Sequence, residues 1–256
     1  MSFNPNSALI GEIRTYAGIT APSGWLLTYG QAISRTTYAS LFATLNPSQG
    51  TVTMTIASPG VVSKTSHGLV AGDPIYFTTT GALPTGVTAG TKYFVISAGL
   101  TANAFEFSAT LGGSAVNTSG SQSGTHTLWR SPYGVGDGST TFNVPDLRGR
   151  VAAFYDSMGG TAANRLTGSP TGGVTGSVIG ATGGEQGHTL TAAEIPPLPV
   201  TGSDAWGATG AGAIAIGDDG SFNTTSNNAA NNGVSTASHN NVQPAIILNA
   251  IIYTGV

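Results

Sequence analysis

The sequence predicts a mostly β protein with one short helix, laid out in stretches of different character. Three observations carry this. Short apolar runs, several of them alternating, are separated by Gly, Pro, Asn and Ser over roughly the first 165 residues, the pattern of short strands and turns. A single stretch has convincing helical spacing. The last third is rich in Gly and Asn and poor in apolar anchors, which fits loops better than a core.

Composition bounds the function before any motif is read. The 256 residues include 38 glycines and no cysteine, and 7% are charged, against about 25% in ordinary soluble proteins. Hydroxyls and amides must therefore solvate most of the surface. A net charge of −3 with eight Lys plus Arg leaves no basic stripe to neutralise phosphates, so nucleic acid is not an expected partner. The most apolar stretch, AIILNAIIYTGV at 245–256, falls short of the roughly 20 residues that span a bilayer. The N-terminal MSFNPNSALIGE lacks the basic-then-apolar order of a signal peptide, so no membrane insertion is expected. Gly-rich segments bury little apolar area per residue, while ordering the backbone costs about 1 to 2 kcal/mol for each. A lone subunit looks under-stabilised, and a homo-oligomer is the natural remedy.

In chain order, ALIGEIRTYAG (8–18) reads as a strand and APSGWLLTYGQAI (21–33) as a turn and a second strand, with Trp25, Leu26 and Leu27 in the core. SRTTYASLFATL (34–45) is the helix, because Tyr38, Leu41, Phe42 and Leu45 fall at i, i+3, i+4 and i+7. From 48 to 130 the character changes to short alternating runs. In TVTMTI, Val52, Met54 and Ile56 face one way and three threonines the other; KYFVIS (92–97) and AFEFSA (104–109) fit strands of the same period. This is a small all-β module. The earlier character returns at 131, and 159–184 should be an extended or looped connection. GHTLTAAEIPPLPV (187–200) predicts one helical turn with Thr191 as N-cap and Glu194 as its capping-box partner. The segment 201–238 is an exposed loop or tip, and HNNVQPAIILNAIIYTGV closes the chain with a buried strand.

Several of these pieces together carry a resemblance. GEIRTYAG, APSGWLLTYGQAISRTTYASLFATL and YGVGDGSTTFNVPDLRGRV resemble the phage tail collar family of short tail fibres and related tail proteins, and GGEQGHTLTAAEIP and HNNVQPAIILNAII resemble the C-terminal part of such fibres. The resemblance implies a trimeric, mostly β fibre end with interlocked chains. It divides the chain into a first collar segment (1–47), an inserted all-β module (48–130), a second collar segment (131–165) and a Gly/Asn-rich, intertwined C-terminal tip region (166–256). HGLVAGDPIYF and TAGTKYFVISA resemble a small β module that recurs in phage structural proteins. Insertion at an exposed loop is tolerated when its ends lie close together.

Three of the rare charges sit within five residues, Asp146, Arg148 and Arg150 in PDLRGR. Two readings stand side by side: a clamp in which arginine forks bind carboxylates or carbonyls between chains, which is the favoured one, and a pocket for an anionic sugar or phosphate. Some collar fibres carry His-x-His after the E-I-P turn, where six imidazoles of a trimer hold a metal. Here those positions fall on Leu198 and Val200, so no metal or other cofactor is expected and the two side chains are assigned to a dry plug on the trimer axis. His67, His126, His188 and His239 have no ligand at zinc spacing and are read as structural.

In the tip, Trp206 and Phe222 suit stacking on a sugar face, and Asp204, Asp218, Asp219 and Asn223 suit hydrogen bonds to its hydroxyls. Trp206 packing on a neighbouring chain is the competing assignment. The expected function is therefore a phage tail fibre or tail-tip adhesin, carried on the virion and assembled in the host cytoplasm. Its expected partners are other tail or baseplate proteins and a host surface glycan or lipopolysaccharide. The alternatives are a purely structural baseplate or collar protein, and a polysaccharide depolymerase. No enzyme is expected: glycoside hydrolysis usually needs two carboxylates about 5 to 9 Å apart, and the candidates are few, Asp204, Asp218 and Asp219 in the tip with Glu185 and Glu194 before it.

Overall fold

The computed structural model describes residues 8–168, 172–191, 194 and 238–256. The chain forms two compact units: residues up to Gly184 together with Ile246–Val256, and Glu185–Ala245.

The first unit holds two hydrophobic cores. One belongs to the outer parts of the chain. Strands β1 (Ile13–Tyr16) and β2 (Trp25–Leu27) flank β14 (Asn249–Tyr253) in an antiparallel sheet of order β1-β14-β2, with Ile13 opposite Ile252 and Trp25 opposite Tyr253. The last strand thus lies at the centre of a sheet whose other members come from the first 27 residues, rather than with the 166–256 segment it follows in sequence. Beside this sheet β3 (Ala32–Ser34) pairs with β11 (Thr141–Asn143), placing Ile33 opposite Phe142.

Helix α1 covers Ala39–Leu45 and is shorter than the predicted 34–45. Ser34 still belongs to β3, and residues 35–38 turn instead, with the Thr37 N–H on the Ser34 hydroxyl and the Tyr38 N–H on the Ser34 carbonyl. Seven residues are too few for a helix to persist alone in water; packing holds this one. Leu41 is buried with Phe142, Val144 and Ile252, and Leu26, Ile33, Tyr38, Phe42 and Leu45 close around them. All four residues of the predicted helical face therefore join this core. Of Trp25, Leu26 and Leu27, none is fully buried, because the sheet has a solvent side: Trp25 leans on Tyr253 with the Arg14 guanidinium 5.1 Å from its ring centre.

The second core is that of residues 48–130. Strands β4 (Ser48–Met54), β5 (Val62–Ser63), β6 (Pro74–Thr79), β7 (Tyr93–Val95), β8 (Ala104–Phe105), β9 (Phe107–Ser108) and β10 (His126–Arg130) form a seven-stranded antiparallel sheet, order β8-β5-β4-β10-β6-β7-β9. Its two edge strands are separated in the chain by Glu106 alone. Laid flat, seven strands would put the edges roughly 29 Å apart, whereas two residues of chain reach about 7 Å. The sheet must therefore curl until its ends meet, which also removes exposed edges.

The inside of the curl is filled by alternate residues, among them Val52, Met54, Ile75, Phe77, Phe105, Phe107 and Leu128. Phe107 meets Phe77 and Tyr93 edge-on, both with ring centres 5.3 Å away. Ile56, predicted on the same face as Val52 and Met54, is instead 46% exposed, because the chain leaves the strand after Met54 and reverses, with the Thr55 N–H on the Val61 carbonyl.

Chain entry and exit are adjacent. Ser48 lies opposite Trp129 and the Arg130 N–H donates to the Pro47 carbonyl at 3.2 Å. Between 159 and 184 the described chain is looped, with one isolated bridge, Thr167 to Thr175. In the second unit β12 (Gly187–His188) pairs with β13 (His239–Asn240), His188 opposite His239.

Candidate functional site

The stretch 137–150 is a chain of local hydrogen bonds. Asp137 Oδ1 accepts the N–H groups of Ser139, Thr140 and Thr141 at 2.9, 2.7 and 2.8 Å, and Oδ2 takes the Thr140 hydroxyl. The Thr140 hydroxyl and these main-chain donors hold the Asp137 carboxyl well below the usual carboxylate range. Asn143 fixes the next step: its Oδ1 accepts the Gly136 N–H and its amide donates to the Gly30 carbonyl at 2.7 Å.

Asp146 then bridges back to Tyr29. A Cβ at Gly30, where φ is +77°, would stand 3.1 Å from Asp146 Cβ, so both conformation and space favour glycine there. Arg148 closes its fork on the same carboxylate, Nε and Nη2 each at 2.8 Å, and Arg150 Nη1 donates to the Asp146 carbonyl at 2.5 Å. Hydrogen bonding from Arg148 keeps the Asp146 carboxyl well below its ordinary range. The structure thus brings all three predicted residues together within one chain.

One cation that the sequence left unremarked does more for packing. Arg35 donates to the carbonyls of Thr141 (2.8 Å) and Val135 (3.1 Å), with its guanidinium 4.8 Å from the Phe42 ring centre and 5.5 Å from that of Tyr76. Beneath it runs an aromatic ladder from the collar core to the outer face of the seven-stranded sheet: Phe142 to Phe42 (5.2 Å), Phe42 to Trp129 (5.7 Å), Trp129 stacked on Tyr76 (5.9 Å). Burial pushes the Tyr76 hydroxyl up to about 12, against the pull of Arg35. Within residues 48–130, buried Asp73 forms an ion pair with Arg130. A lone arginine in a turn carries no periodic signal, which is why Arg35 escaped notice.

Two histidines serve packing. His67 is buried, accepts the Leu69 N–H on Nδ1 at 3.0 Å and meets Phe105 edge-on. His126 sits between the Thr79 hydroxyl (2.8 Å) and the Gln122 side-chain carbonyl (3.0 Å). His188 differs: its Nδ1 faces Glu185 Oε1 at 2.5 Å, its Nε2 faces both Glu194 oxygens at 3.0 Å, and its ring meets His239 edge-on at 5.8 Å. Glu194 also accepts the Thr191 N–H and hydroxyl at 2.7 and 2.8 Å, the reach-back half of the predicted capping box. Both carboxylates raise the His188 pKa, Glu194 foremost.

The tip candidates Asp204, Trp206, Asp218, Asp219, Phe222 and Asn223, and the axis residues Leu198 and Val200, lie outside the described residues. Among the described residues, no group of three or more His, Asp or Glu side chains is placed to hold a metal ion, and no helix is long and apolar enough to cross a membrane.

Residues 11–54 and 117–152 match the family model Phage Tail Collar Domain. The interruption between them falls inside the seven-stranded sheet, and the matched halves rejoin where β4 and β10 pair, Val52 opposite His126. No curated protein and no solved structure gives a significant match. The mostly β fold with one short helix, the two-part motif and the turn built on Asp137, Asn143 and Asp146 agree: the chain carries a phage tail collar domain over residues 11–54 and 117–152, which supports a structural protein of a phage tail.

Proposed function

We infer that this tail protein is a homotrimeric fibre end or tail-tip adhesin, in which the collar anchors the assembly, residues 48–130 form an inserted module, and the region from 166 presents a surface for a host polysaccharide. The observation that carries the oligomer is the amount of apolar surface left bare around the collar. Ile19 is 87% exposed, Phe154 83%, Ile246 82% and Ile247 88%, with Val151 and Met158 similarly open. A soluble monomer rarely presents so many large apolar side chains in short runs, and a self-complementary assembly covers them. Three is the number that the collar resemblance supplies. Arg148 and Arg150 keep outward-facing donors for a clamp between chains, and Leu198 and Val200 are the residues assigned to the axis.

Receptor contact is assigned to Trp206 and Phe222 as stacking faces and to Asp204, Asp218, Asp219 and Asn223 as hydrogen-bonding groups. Three weak sites on one body gain by effective concentration. Fluorescently labelled protein should bind intact host cells, and Trp206→Ala with Asp218→Ala should abolish that binding. Wild-type protein that assembles normally yet leaves host cells unlabelled would make it a purely structural tail component; release of reducing sugar from host polysaccharide would make it a depolymerase.

A further inference from the structure

The seven-stranded sheet turns its apolar side inward and presents a hydroxyl-lined groove of about 810 Å³ on the other. Thr51 and Thr53 face it because they alternate with buried Val52 and Met54. Ser63 pairs with Thr53 across β4 and β5, and Lys64, Thr65 and Asn103 form its wall. Among the described residues the hydroxyls of Thr51, Thr53, Ser63 and Thr65 make no hydrogen bond, whereas those of Thr55, Thr79, Thr80, Thr101 and Thr118 are all engaged.

Lys64 is the second observation, and an independent one. In a chain with eight cations, most are matched among the described residues: Arg14 with Glu12, Arg130 with Asp73 and Arg148 with Asp146, Arg35 with carbonyls and rings, Arg150 with a carbonyl, Lys92 over the Phe94 ring. Lys64 is half-buried and has no carboxylate, carbonyl or ring partner among the described residues, and it lines the groove. Its ammonium lies over Gly50, where a Cβ would stand 3.6 Å from Nζ.

We propose that this groove binds a saccharide bearing a carboxylate. Hydroxyls and the Asn103 amide both donate and accept, which matches sugar hydroxyls, and the Lys64 ammonium matches one negative charge. Its lining holds no Phe, Tyr, Trp, Leu, Ile or Met to floor a lipid or a flat cofactor, and one cation cannot neutralise a run of phosphates. The site deepens the adhesin reading by placing glycan contact on residues 51–104, distinct from the Trp206 region.

Calorimetric titration of the full-length protein with trigalacturonate tests it. Binding is expected, with loss of about tenfold or more for Lys64→Gln and a smaller loss for Thr53→Val, little binding of the methyl-esterified trisaccharide, and no change for Lys92→Gln, a cation outside the groove. No heat of binding, equal binding of the ester, equal competition by inorganic phosphate, or an unaffected Lys64→Gln protein each overturns the proposal. Host-cell binding by these proteins and by the Trp206 variant separates the two readings: a silent groove with Trp206-dependent cell binding sinks only the groove, while saccharide binding without cell attachment sinks only the adhesin.

Discussion

The module and the collar are built from the same residue types, yet they solve the problem of stability differently. The module buries twelve hydrophobic residues in one cluster, all drawn from a continuous stretch of chain, Val52 to Leu128. The collar buries four, Leu41, Phe142, Val144 and Ile252, from segments that lie more than 200 residues apart at the extremes. The first core is closed by its own curled sheet. The second is a junction that leaves Ile19, Phe154, Ile246 and Ile247 open at its margins. The difference supports the proposal that one region is complete as a single chain while the other is covered by further copies.

That contrast is best broken at its strongest point. Phe107→Ala should cost about 3 to 5 kcal/mol and unfold residues 48–130 cooperatively in denaturant, because Phe107 is fully buried among Phe77 and Tyr93. Collar assembly measured by mass should survive, provided the ladder at Trp129 is intact. A protein that loses both together would show that the two cores are one folding unit.

Trp129→Ala is next, at about 3 kcal/mol or more, since it removes the middle of the Phe42–Trp129–Tyr76 stack and the hydrogen bond to Thr78. The expected signature is two separated thermal transitions in place of one. Arg35→Ala should move in the same direction by a smaller amount, because its two carbonyl acceptors can turn to water.

The second unit offers a pH dependence. An imidazole whose two nitrogens both face carboxylates satisfies them only as imidazolium, in keeping with the raised His188 pKa, caused first by Glu194 and then by Glu185. Glu194 is drawn down to about 2, first by the Thr191 backbone N–H. For His188 the folded value exceeds the unfolded one, so its contribution is complete below about 6.5 and vanishes as pH rises through the folded value. For Glu194 the sign is opposite: the contribution is present above about 4.5 and is lost as pH falls toward 2. Amide exchange at Gly187–Asn240 should therefore be slowest between those limits, and Glu194→Gln should lower the His188 titration midpoint seen by NMR.

The smallest effect is expected at Arg148→Ala. The pair with Asp146 is exposed, and such pairs contribute little because solvent and salt screen them. A clamp between chains would appear as weakened association at nearly unchanged melting of the dissociated chain; identical association would assign Arg148 to the turn alone.

What could be read from the residues was what local periodicity and turn chemistry encode. The helix face Tyr38, Leu41, Phe42, Leu45, the alternation of Val52 and Met54, and the grouping of Asp146, Arg148 and Arg150 are of that kind. Strand order is not. Nothing near Ile252 says that it will sit opposite both Ile13 and Leu26, and nothing near Glu106 says that its neighbours are the two edges of one sheet. Arg35 gains its partners only through the fold, from residues 41 and 106 positions away in Tyr76 and Thr141. Long-range pairing was illegible because period-two patterns fix which face is buried and leave the partner open.

The central claim is that the collar is completed by other copies of itself while the module is not. Sedimentation equilibrium of the full chain and of residues 48–130 alone at micromolar concentration tests it most directly. Three chains for the whole protein and a folded single chain for the module are predicted. A stable, cooperatively melting monomer of the whole protein would contradict the account.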